Sequence, residues 1–289
     1  MIKSVTSWAR GPKMLMMTSM HRTGTRKHNT SSAIGRLRLR YAELLSKLAA
    51  ALNPRVPYYK VKYGWRLWQS GKDEKALVEV EKALRLDSLY ADGWLLKARI
   101  LADVTKFDQA IEAYDRAIGY GLSNKKSTAL AHYDKSLALQ WTGKNREALQ
   151  VLDRAIGFDS GNPSLYFEKA RIFIGLEEPE KALKELDKGM ALDDLNYEAW
   201  YHRGMALSML DCEGEAVGAF KKAIECGISE STNESMAWNM LGCSLGALER
   251  FDEALDSFNR ARELDPENLD ASDNKARTLL ELERRADRP

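Results

Sequence analysis

Cysteine is scarce: the chain has three, Cys212, Cys226 and Cys243, and no CxxC pair among them. That excludes a disulfide framework or a zinc site built from cysteine alone, and makes a reducing, cytoplasmic setting the expectation. Long apolar runs are missing as well. The longest candidate, Met14-Leu15-Met16-Met17, falls far short of the roughly 18 residues a membrane span requires. With 30% of the residues charged, a soluble protein with no membrane partner is expected. The apolar segment of about 7–15 residues and small-residue cleavage site of a secretory signal are also absent.

The signatures of chemistry are lacking too. There is no GxxxxGK[ST], GxGxxG, HExxH or GxSxG. Of the four histidines, His21 and His28 lie near the N-terminus, while His132 and His202 have no neighbour in sequence that would make them a base or a ligand. Both are read as structural or solvent-facing, and Cys243 as a buried, inert thiol. No catalytic residue, metal site or cofactor is expected, and the protein is read as a non-enzyme.

Acid is absent from residues 1–40, which hold nine basic side chains. Taking those nine from the chain's 44 leaves 35 basic against 42 acidic residues in 41–289, a net charge of −7. Residues 1–33, rich in Ser and Thr and without periodicity, read as a disordered basic tail. Four readings of it stay open: a solvated tail, a start placed too early with true initiation near Met14–Met20, a transit peptide, or a nucleic-acid-binding arm. A tail of this charge could also fold back on its own acidic body and compete with partners.

What the sequence has in abundance is repetition. Aligned on one alanine, the blocks place Ala76, Ala110, Ala148, Ala182, Ala216 and Ala254 at steps of 34, 38, 34, 34 and 38. Twelve residues before each stands Gly64, Ala98, Ser136, Ala170, Gly204 or Gly242, and seven after stands Ala83, Ala117, Ala155, Gly189, Ala223 or Ala261. Small residues in lockstep mark places where helices cross too closely for anything larger. Between them run large apolar residues, Trp94, Trp200 and Trp238 in first helices and Tyr114, Leu152, Leu186, Phe220 and Phe258 in second helices. The spacing predicts helix-turn-helix units at 57–90, 91–128, 129–162, 163–196, 197–234 and 235–268. The two 38-residue units lie three units apart, a super-period of 106, with Gly121 and Gly227 as helix stops followed by longer loops at Leu122–Thr128 and Ile228–Asn233.

The run Ala237-Trp238-Asn239-Met240-Leu241-Gly242, with Phe251, Ala254, Phe258, Ala261 and Pro266, resembles the tetratricopeptide repeat (TPR) pattern. Other units depart from it at the final proline (Ser88, Ser160, Asp194) and at the leucine slot (Lys97, Lys169, Arg203). The resemblance implies an all-α, right-handed superhelical solenoid of about six TPR-like units over 57–268. Residues 34–56 would form a degenerate capping helix, and 269–289 a polar C-terminal capping helix with Ala276 in its small slot.

It also implies that first helices line a groove that binds a partner peptide or helix. Reading the inward positions gives an unusually apolar row, from which Trp65, Trp68, Arg99, Tyr133, Trp141, Phe167, Arg171, Tyr201 and Met205 are the candidate partner-binding residues. Trp65 and Trp68 could instead pack on the 34–56 helix, and Tyr133 and Trp141 could lean into the longer loop. The branch of the family that grips acidic chaperone C-termini uses a Lys and Asn clamp, but the corresponding first-unit slots here hold Val61 and Trp65, so that carboxylate clamp is absent. The protein is read as a protein–protein interaction scaffold. The alternative is a nucleic-acid-associated protein using the basic tail, against which the −7 body argues by repelling phosphate.

Overall fold

The computed structural model describes residues 33–286, as fourteen helices with no strand among the described residues. The expectations for residues 1–32 lie outside the described residues. The described chain divides into two compact units at Ser160/Gly161.

In the first unit α1 (Ala33–Leu52) precedes three hairpins: α2 (Pro57–Gln69) with α3 (Asp73–Leu86), α4 (Ala91–Asp103) with α5 (Phe107–Tyr120), and α6 (Lys125–Trp141) with α7 (Asn145–Phe158). In the second, three hairpins pair α8 (Pro163–Gly175) with α9 (Pro179–Met190), α10 (Tyr197–Met209) with α11 (Glu213–Glu225), and α12 (Ser231–Ala247) with α13 (Phe251–Leu264); α14 (Leu269–Ala286) follows.

Each hairpin turns on one left-handed residue: Gly71, Thr105, Gly143, Glu177, Asp211 and Glu249, with φ between 58° and 76°. The Lys72 amide donates to the Leu67 carbonyl at 2.9 Å and the Gly71 amide to the Trp68 carbonyl at 3.0 Å, a Schellman ending that recurs at Lys106 and Lys144. Between hairpins, Asp87, Asp193 and Asp265 accept from the amide two residues on, Leu89, Leu195 and Glu267, at 2.9, 3.3 and 3.1 Å. Asn162 and Asn196 then cap the next first helix with their side chains.

All eighteen small residues of the repeat are buried. Their reason for being small is visible at Gly204 and Gly242: a Cβ there would lie 2.6 Å from the Phe220 ring and 2.5 Å from the Phe258 ring. The Phe167 ring fills the same kind of space at Gly189. Buried leucines of the first helices, Leu67, Leu101, Leu139, Leu207 and Leu245, add to five of the six hairpins.

Two expectations are corrected. The extra residues of the 38-residue units are helix rather than loop: Gly121 (φ 87°) and Gly227 (φ 82°) do stop their helices, but α6 and α12 start early, at Lys125 and Ser231. Asn124 holds the α6 start, its side-chain oxygen accepting from the Ser127 amide at 2.9 Å. In α14, the last described helix, Ala276 is exposed rather than buried in its small slot, and Leu279 and Leu280 are 42% and 53% exposed beside it.

Candidate partner-binding faces

First helices carry the candidate residues, and each unit presents its own set. In the first unit the Trp65 and Trp68 rings meet edge-on with centroids 4.9 Å apart. Trp68 has no exposed surface, and its indole Nε1 donates to Asp103 Oδ2 at 2.7 Å. The Arg99 guanidinium lies 5.7 Å from the Trp65 ring centroid, and its Nε donates to Asp134 Oδ2 at 2.8 Å. Both members of that ion pair are buried, and Arg99 Nη2 has no hydrogen-bond partner. Burial pushes the Asp134 carboxyl up, and the adjacent guanidinium only partly offsets it. Tyr133 is half-buried. Trp141, also half-buried, stacks on Phe107 with centroids 5.5 Å apart and planes 6° off parallel. It therefore leans on the start of α5 rather than on a loop.

In the second unit Phe167 is 5% exposed, its ring occupying the space above Gly189. Arg171 pairs with Glu168 one helical turn before it, Nε donating to Oε2 at 3.1 Å. Tyr201 stands edge-on to Phe220 at 5.8 Å, and burial of its phenol pushes its pKa well up. Met205 is partly buried among Tyr201 and the core leucines. His202, beside Tyr201, is buried with Nδ1 unpartnered. Burial, reinforced by Arg171 and opposed by Glu168 and the Glu198 backbone, pushes its pKa down to about 4. Cys243 accepts from Asn274 Nδ2 at 3.2 Å, and burial pushes its thiol up to about 12, so it is not a nucleophile at neutral pH.

Six of the nine candidates, Trp65, Tyr133, Trp141, Arg171, Tyr201 and Met205, keep some accessible surface, whereas Trp68, Arg99 and Phe167 are built into the hairpins. Sequence reasoning missed the acidic partners Asp103, Asp134 and Glu168. The signal was partial: Trp68 to Asp103 and Arg99 to Asp134 each join one first helix to the next, but at 35 residues they are offset from the in-register steps of 34 and 38.

Among the described residues no helix is long and apolar enough to cross a membrane. The tetratricopeptide repeat family profiles match residues 61–118, 95–163 and 235–268. The chain is similar to a peroxisomal targeting signal receptor of Kluyveromyces lactis, 24% identical over 76% of this chain and 38% of the receptor. It is also similar to anaphase-promoting complex subunit 3 of Schizosaccharomyces pombe, 27% identical over 48% of this chain and 20% of the subunit. The chain thus spans well under half the length of either relative. Among solved structures, the C-terminal part of a TPR repeat-containing protein from Cytophaga hutchinsonii superposes with a TM-score of 0.65, at 16% identity, over 83% of this chain and 95% of that one.

Proposed function

Because the chain is a tetratricopeptide repeat protein, we propose that it is an interaction scaffold whose first helices hold an apolar peptide or helix of a partner protein. TPR proteins bind protein partners and generally act without catalysis, and the relatives that resemble this chain include a targeting signal receptor and a subunit of a complex. The observation that carries the finer reading is the incomplete burial of Trp65, Tyr133 and Trp141 in one unit and of Tyr201 and Met205 in the other. Aromatic surface that folding leaves uncovered is surface a partner can cover, and Trp and Tyr are the commonest anchors of interfaces.

The charges refine the occupant. Arg99 is neutralised by Asp134 and Arg171 sits against Glu168, so neither is an isolated cation waiting for a carboxylate. The side chains recognised are therefore apolar, with backbone groups supplying the hydrogen bonds. The test is selection from a displayed random-peptide library against the wild type, followed by binding of the enriched peptides to Trp141→Ala and Tyr201→Ala. At least a tenfold loss with either variant, its helical circular dichroism unchanged, is expected; enriched peptides that bind both variants as tightly as wild type would show the face to be misplaced.

A further inference from the structure

Charge is not spread evenly over the two units. Residues 41–160 hold 19 basic against 15 acidic side chains; taking these from the 35 and 42 of residues 41–289 leaves residues 161–289 with 16 against 27, a net charge of −11. The first helices of that second unit are poor in cations: α8, α10 and α12 carry three, Lys169, Arg171 and Arg203. Each is already paired. Lys169 reaches Glu185 and Arg203 reaches Asp187, both on α9, and Arg171 holds Glu168 within α8. Glu198, in the first turn of α10, is left out. Its half-buried carboxylate accepts from the Tyr197 phenol at 3.3 Å and forms no ion pair among the described residues.

Burial pushes the Glu198 carboxyl up, the Glu168 charge adds to this, and the Tyr197 phenol and Arg171 only partly offset them. Glu230, just before α12, places a further negative charge near the Tyr197 phenol. A second group of the same seam is also unmet: His202, one turn beyond Glu198, is 5% exposed, feels the charges of Arg171 and Glu168, and its Nδ1 has no hydrogen-bond partner. Glu198, Tyr201 and Met205 follow at steps of three and four, on one face of α10. A wholly apolar segment laid over Tyr201 would complete the burial of Glu198 without a counter-charge, which is strongly unfavourable. A basic side chain removes that cost and brings an aliphatic stem to the apolar neighbours. We propose that the second unit takes a lysine or arginine of the partner segment, its cation on Glu198 and its stem on Tyr201 and Met205. This contact adds to the apolar ones proposed above and stands only if the Tyr201 face is the binding face. The −11 of the unit steers such a segment towards it.

Displayed random peptides, selected in parallel on the full-length wild type and on Glu198→Gln, test the contact. Gln keeps an acceptor for the Tyr197 phenol, and unchanged circular dichroism and melting temperature confirm that the variant folds. Peptides enriched on the wild type are expected to share a Lys or Arg at a fixed distance from their apolar residues, and those enriched on Glu198→Gln to lack it. A wild-type peptide should bind Glu198→Gln about tenfold more weakly, the gap closing when its basic residue is replaced by methionine and shrinking at high salt. Glu215→Gln, at an exposed position of α11, should leave the affinity unchanged, which separates one contact from the charge of the whole unit. Tyr201-dependent peptides without a fixed basic residue, or bound equally by wild type and Glu198→Gln, overturn the cation contact and leave the groove reading intact. Peptides weakened by Glu198→Gln but indifferent to Tyr201→Ala overturn the groove reading instead, so the two failures are distinct. Failure of the wild type to enrich any peptide overturns both.

Discussion

Side chains within one hairpin are chosen in pairs. Where the first helix has Gly204 or Gly242 the second has Phe220 or Phe258, and where it has Ala98 or Ala170 the second has Tyr114 or Leu186. Adding a methyl at Gly204 drives it into a ring that is 0% exposed and has nowhere to turn. Gly204→Ala should therefore cost about 1–3 kcal/mol in urea unfolding, with most of it recovered in the Gly204→Ala/Phe220→Leu double variant. Gly218, in the next helix, has nothing within 4 Å of an added Cβ. There the same change should stabilise by about 0.5–1 kcal/mol, because only helix propensity is at stake. His202 gives a pH dependence. Its folded pKa of about 4 lies below the ordinary 6.5, so neutral His202 supports the fold above pH 6.5, and that support is lost as pH falls from 6.5 towards 4. The loss is on the order of 3 kcal/mol at its fullest. The urea midpoint of the wild type should drop across that window more steeply than that of His202→Gln; parallel curves would remove the assignment.

Helices here are set by their ends as much as by their faces. The six hairpin turns use the same left-handed position, but only Gly71 and Gly143 fill it with glycine. Thr105, β-branched at φ 60°, is the least suited of the other four. Thr105→Gly should stabilise by about 1 kcal/mol, measured as a rise in the urea midpoint. The matched early starts of α6 and α12 differ in their caps: Asn124 bonds the Ser127 amide, whereas Glu230 makes no side-chain cap. Glu230→Asn should gain about 0.5–1 kcal/mol, and Asn124→Ala should lose a similar amount. These starts also mark where sequence reading stopped short. A glycine that ends a helix is legible, since φ above zero demands it, but the residues after it can continue as loop or begin the next helix. At Asn124 one side-chain hydrogen bond decides between them.

Across the whole molecule, legibility follows the range of the interactions. The six hairpins and all eighteen small positions could be read because each is dictated by contacts that recur every 34 or 38 residues. The candidate faces were less readable. Trp68 lies one turn after Trp65 on the same helix and Phe167 shares a register with Tyr201, yet Asp103 accepts from the Trp68 indole in the interior and the space over Gly189 takes up the Phe167 ring. Register gives the side of the helix; depth depends on which neighbour is missing a side chain. Amide hydrogen exchange should be faster in α1 and α14, the outermost described helices, than in the helices between them.

The 106-residue super-period bears on how the array came about. Trp94 and Trp200 donate to the carbonyls of Ser88 and Asp194, each six residues back, at 2.8 and 2.7 Å, and the lengthened α6 and α12 stand the same 106 apart. So do Pro57 and Pro163, each opening a triplet of hairpins. Idiosyncrasies shared at that distance, and not at 34, point to a gene that doubled three hairpins in one event. An engineer lengthening the chain should therefore splice in triplets, because Asn162 joined to a second Pro57 repeats a seam already present at Pro163.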